Sequence, residues 1–161
     1  MVNIPTFTLS ESSLQFAKTF TTQVWELLQQ PHRTQVEDEL MVHTAHAACF
    51  HWMRSGSGLH HQRAEWLLAH VYTMLGMTDM ALKYAVRCSE LTLEFSDLMK
   101  DFDRAYAYEA LARANALAGK RAEALKYFDL AEQAGQEIKD KEDLKIFSED
   151  FNSGDWFGLR E

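Results

Sequence analysis

The chain predicts an all-α domain of six or seven helices arranged as antiparallel hairpins, and three observations carry that expectation. Hydrophobic residues make up 47% of the 161 positions and charged residues 25%, the balance of a globular chain with one core. Two prolines and seven glycines are too few turn residues for a many-stranded sheet. Apolar residues recur at helical spacing behind two capping boxes, Thr8 with Glu11 and Thr34 with Glu37, in which hydroxyl and carboxylate satisfy each other's end of a helix start.

Each element follows in order. The first helix runs from about Leu9 to Gln30, with Leu14, Ala17, Phe20, Val24, Leu27 and Leu28 on one stripe, and stops at Pro31, which cannot continue the ladder. The second, about Gln35 to Arg54, is apolar on several faces (Val36, Leu40, Met41, Ala45, Ala48, Phe50, Trp52) and reads as a central helix packed on more than one side. Ser55-Gly56-Ser57-Gly58 makes a tight connection. Four helices follow at about 59–75, 78–96, 101–118 and 121–139. Gly76 and Gly119 stand just past two of their ends, where glycine closes a helix in the left-handed conformation. Leu144, Phe147 and Phe151 keep helical spacing and predict a short seventh helix as a cap.

A shift of about 43 residues superimposes Leu68 on Leu111, Ala69 on Ala112, Gly76 on Gly119, Ala81 on Ala124, Tyr84 on Tyr127 and Cys88 on Ala131. Small residues recur where helices approach, large ones where the hairpin fills its core, and glycine where the chain reverses. This pattern resembles the tetratricopeptide repeat family, whose first-helix tyrosine is also matched by Tyr72. The departures are a period longer than the usual 34 residues, Asn115 in place of that tyrosine in the second copy, and no closing proline. Longer periods occur in kinesin light chains and some bacterial peptide-sensing regulators. The resemblance implies a right-handed superhelix within a single domain spanning 1–161: a degenerate hairpin over 1–58, two recognisable repeats over 59–139, and a capping helix with an acidic, aromatic tail over 140–161.

In such a stack the first helices of successive hairpins lie side by side on a concave wall. By resemblance, the groove-facing residues are Arg63, Trp66, His70 and Thr73 on the third helix and Tyr106, Glu109 and Arg113 on the fifth. Arginines suit carboxylates and flat aromatics give contact area at small entropic cost. The expected function is protein or peptide binding, regulatory or scaffolding, with no catalysis and no cofactor. The plain counter-reading is that Trp66 and Tyr106 fill the gap between neighbouring helices and the charged residues form a solvated face.

Two alternatives remain open. Glu39, His43 and His46 follow one line of the second helix, the beginning of a zinc-type site that other helices would have to complete. That reading points to the metal-dependent four-helix-bundle hydrolases and transferases of bacteria, and the repeat argues against their fold. A homo-oligomeric structural subunit such as a homodimer is the other, because Trp156, Phe157 and Leu159 form an apolar terminal segment that some surface must cover. The tail is expected to pack on its own last hairpin or to occupy the groove in cis or in trans. No phosphate loop or nucleophile elbow occurs, and Cys49 and Cys88 read as buried thiols. The net charge of -8 repels nucleic acid. No leader or membrane-spanning run is visible, so a reducing, cytoplasmic setting is expected.

Overall fold

Both capping boxes form. In the computed structural model, which describes residues 6–160, Thr8 Oγ1 accepts from the Glu11 N–H at 3.2 Å while the Glu11 carboxylate accepts from the Thr8 N–H at 2.8 Å. Thr34 and Glu37 repeat the exchange at 3.3 and 2.7 Å. The backbone N–H groups of Thr8 and Thr34 hold the two carboxyls below the usual range.

These caps start α1 (Leu9–Leu28) and α2 (Gln35–Ser55), followed by α3 (Gly58–Met74), α4 (Thr78–Glu94), α5 (Asp101–Leu117), α6 (Arg121–Gln136) and α7 (Lys141–Asn152). A single 3-10 turn, Ser96–Leu98, leads into α5. Among the described residues there is no strand, and no helix is long and apolar enough to cross a membrane. The helices pack as the hairpins α1/α2, α3/α4 and α5/α6; α3 joins the first two pairs, α5 joins the second to the third, and α7 lies on α5 and α6.

The two copies seen in the sequence share one turn geometry. Gly76 and Gly119 have φ of 68° and 70°. The Met77 and Lys120 N–H groups each reach back 2.9 Å to the carbonyls of Tyr72 and Asn115, closing the exposed helix ends. Ala69, Ala112, Ala81, Ala124, Cys88 and Ala131 are all fully buried, so the small residues set how closely the helices approach.

As expected, α2 packs on more than one side, against α1 and α3, but the most deeply buried helix is α5. Val36, Leu40 and Phe50 on α2 are exposed, and that helix packs mainly on α1 and α3. In contrast α5 buries Asp103, Ala105, Ala107 and an unbroken run from Glu109 to Ala116, because an alanine-rich surface can be approached from every side. On α1, Ser13 takes the buried place expected of Leu14, its hydroxyl 3.3 Å from His51 Nδ1.

Candidate functional site

The odd-numbered helices bring one aromatic each to a shared wall. Trp25 of α1 stacks on Trp66 of α3 with centroids 5.9 Å apart; Trp66 meets the edge of Tyr106 of α5 at 5.3 Å; Tyr106 meets Phe147 of α7 at 5.0 Å. These residues recur at intervals of about 40 along the chain, the spacing of one hairpin. Each such pair contributes about 0.5–1.5 kcal/mol beyond its buried area.

In front of this wall lies an open cleft of about 580 Å3, lined by Trp25, Trp52, Trp66, Phe102 and Tyr106 together with Thr21, His60, Arg63, Leu67, Asp103, Ile146 and Asp150. Most of its polar side chains are already engaged, although Gln62 Oε1 and Trp66 Nε1 are buried without a hydrogen-bond partner. Arg63 donates from Nε and Nη2 to both oxygens of Asp103, at 2.8 and 3.0 Å, and lies over the Phe102 ring at 5.0 Å. The same Asp103 carboxylate accepts the Lys100 N–H at the start of α5 at 2.9 Å, so the helix cap fixes the cation. The Trp52 indole donates to Thr21 Oγ1 at 3.0 Å and stacks on His60 at 4.7 Å. The Tyr106 hydroxyl donates to Asp150 at 2.5 Å; burial, then that carboxylate, pushes the phenol well above its ordinary pKa.

Of the seven groove positions expected from the sequence, Arg63, Trp66 and Tyr106 line the cleft. His70 does not: its ring stacks on Trp66 at 5.1 Å, and burial pushes its pKa down to about 4. Thr73 is buried, its hydroxyl donating to the Ala69 carbonyl at 2.8 Å. Glu109 and Arg113 form a buried ion pair. Burial pushes the Glu109 carboxyl up, against the pull of Arg113. These departures on α5 have one cause, since α7 and the segment after it cover the wall beyond Tyr106.

That segment docks in cis on the last hairpin. Arg113 donates to two of its backbone carbonyls, those of Ser153 and Asp155, at 2.9 and 2.8 Å, and to that of Asp150 within α7 at 3.1 Å. Trp156 is buried against Phe128, Phe151 and the Arg113 guanidinium, its indole donating to the Phe151 carbonyl at 3.1 Å. Leu159 is buried and Phe157 half-buried, and Arg121 holds the Gly158 carbonyl at 3.0 Å. None of residues 152–160 lines the cleft, so of the placements expected in cis the tail takes the one on its own last hairpin and not the one in the cleft. The apolar terminus is likewise no longer an argument for a dimer contact.

The histidine line on α2 does not gather. Glu39 is exposed and accepts from Gln35, His43 is exposed, and His46 turns inward to share a 2.8 Å hydrogen bond with the Tyr72 hydroxyl. Burial lowers the His46 pKa. Cys88 is sealed and held protonated by burial. Among the described residues a different trio, Cys49, His61 and Glu65, brings its potential ligand atoms within 4.8 Å of one another. Compared with known proteins, the chain matches no family model, no curated protein and no solved structure.

Proposed function

We propose that this domain is a protein- or peptide-recognition module of tetratricopeptide-like character, regulatory or scaffolding and without chemistry of its own, whose contact surface is the aromatic cleft. The observation that carries this reading is the convergence of Trp25, Trp52, Trp66, Phe102 and Tyr106, from four helices, on one open cavity. Concave sites rich in aromatics with few polar groups favour ligands that bury apolar surface. Arg63 and Arg113 are committed to Asp103 and to Glu109 and the tail, so an acidic ligand has no free guanidinium to meet. The preferred ligand is therefore a segment presenting a bulky aliphatic or aromatic side chain, not the carboxylate-bearing peptide that the sequence suggests. The two free, buried cysteines suit a reducing, cytoplasmic setting.

Selection from a library of random short peptides displayed against the immobilised protein tests this. Enriched peptides should carry a shared bulky apolar residue. Trp25→Ala, at a partly exposed position, should weaken them about 30-fold, which is roughly 2 kcal/mol at a hot spot, without loss of helix content. No enrichment, or peptides indifferent to Trp25→Ala, would remove the cleft as the contact surface.

A further inference from the structure

Across the α2–α3 interface, on residues that take no part in the cleft, three different ligand chemistries converge. His61 and Glu65 stand one turn apart on the same face of α3, with the imidazole Nε2 3.0 Å from Glu65 Oε1. Cys49 faces them from α2, its thiol donating to the same oxygen at 3.7 Å. The second carboxylate oxygen, Glu65 Oε2, is sealed from solvent and has no hydrogen-bond partner. A carboxylate whose one oxygen carries both contacts while the other is buried and bare is poorly served by hydrogen bonding alone.

We propose that Cys49, His61 and Glu65 form a binding site for a divalent metal of borderline softness, zinc above all. Zinc takes sulfur at about 2.3 Å and nitrogen or oxygen at about 2.0–2.1 Å in tetrahedral geometry, which requires ligand-to-ligand edges of about 3.3–3.5 Å. Two of the three separations, 3.0 and 3.7 Å, lie close to that range and the Cys49–His61 pair lies within 4.8 Å, so side-chain rotation that draws the thiol and the imidazole together would complete three corners of the tetrahedron.

Charge argues the same way. A thiolate and a carboxylate around Zn2+ with a neutral imidazole make an electrically neutral unit, which suits a buried position better than separated charges. Binding displaces the thiol proton of Cys49: the S–H bond breaks, a Zn–S bond forms and one proton is released to solvent. The His61 side chain, 18% exposed, gives the ion its approach from solvent. Three protein ligands leave a fourth corner for water, the arrangement of an open rather than a closed zinc site.

Cobalt(II) reports on this directly. The full chain, purified without a histidine tag and stripped with chelator, is titrated with Co2+ alone. The site predicts a thiolate-to-cobalt charge-transfer band in the near ultraviolet that saturates at about one equivalent and is abolished by added Zn2+. Cys49→Ser should remove the band. His61→Ala, a change at a partly exposed position that leaves the core intact, should weaken cobalt binding by tenfold or more, on the order of the losses seen even for second-shell partners. Cys88→Ala and His43→Ala should leave both unchanged. A wild-type protein without the band at millimolar cobalt, a band that survives Cys49→Ser, or binding indifferent to His61→Ala would overturn the site.

Discussion

The guanidinium of Arg113 lies 4.0 Å from the centroid of the Trp156 indole ring, and through it the segment after α7 is fixed to the stack. The same group is ion-paired with Glu109 and donates to three carbonyls, one at the end of α7 and two in the segment after it. A cation so placed meets carboxylate, backbone and aromatic face at once, so it works as the clamp of a terminal cap and not as a recognition residue.

Removing that clamp should be costly. Arg113→Met leaves the buried Glu109 carboxylate without its cation, a change worth about 3–5 kcal/mol, and Trp156→Ala empties an aromatic site worth a similar amount, about 3–5 kcal/mol. Both should lower the urea midpoint markedly. Truncation after Phe151 should destabilise the domain in the same way without enlarging the cleft, which a peptide already selected against the full chain would report as unchanged affinity in the folded fraction.

Gly135 sets the seat of α7. A Cβ at that position would stand 2.3 Å from the Phe147 ring, itself buried and stacked on Phe151 at 5.4 Å. Gly135→Ala gains about 1 kcal/mol of helix propensity but forces the ring off its rotamer, an overpacking cost of about 1–3 kcal/mol. Net destabilisation is expected, read as a lower thermal midpoint. A second change, Phe147→Leu, should relieve part of it.

His70 makes the fold sensitive to mild acid. Its folded-state pKa, about 4 against an ordinary 6.5, means that the unfolded chain takes up the proton first. The stability it contributes is full above about pH 6.5 and is lost as pH falls towards 4, by up to roughly 3 kcal/mol. The raised Glu109 carboxyl acts in the opposite sense, favouring the fold as pH falls. The difference between wild type and His70→Phe, followed by urea denaturation from pH 7 to 4, therefore isolates the histidine: the variant should lose less stability.

The helices were legible because each boundary carries its own local chemistry: Thr8 and Thr34 cap, Pro31 stops, and Gly76 and Gly119 close. Residues whose role depends on a distant element were not. Arg113 and Glu109 occupy positions that read as groove-facing until α7 covers them, and nothing within α5 announces that cover. On α2 the bulk of Val36, Leu40 and Phe50 suggested burial, whereas Ala110, Ala112 and Ala114 made α5 the true centre. The aromatic wall did leave a trace, an aromatic recurring about every 40 residues at Trp25, Trp66, Tyr106 and Phe147. That interval differs from the shift of about 43 residues that superimposes α3 and α4 on α5 and α6, and it reaches back to α1, where that shift shows no match. The Cys49–His61–Glu65 trio spans two helices and follows no single-helix spacing; only the i, i+4 pair of His61 and Glu65 could have flagged it.

The four tryptophans give the most direct test of the central claim. Trp25, Trp52 and Trp66 line the cleft, while Trp156 lies outside it under the terminal segment. In a nitrogen-15 correlation spectrum each indole N–H gives its own signal. Titration with a peptide selected by the 161-residue chain should move the signals of Trp25, Trp52 and Trp66 and leave that of Trp156 in place. Movement of Trp156 alone, or of none of the four on saturation, would contradict recognition in the aromatic cleft.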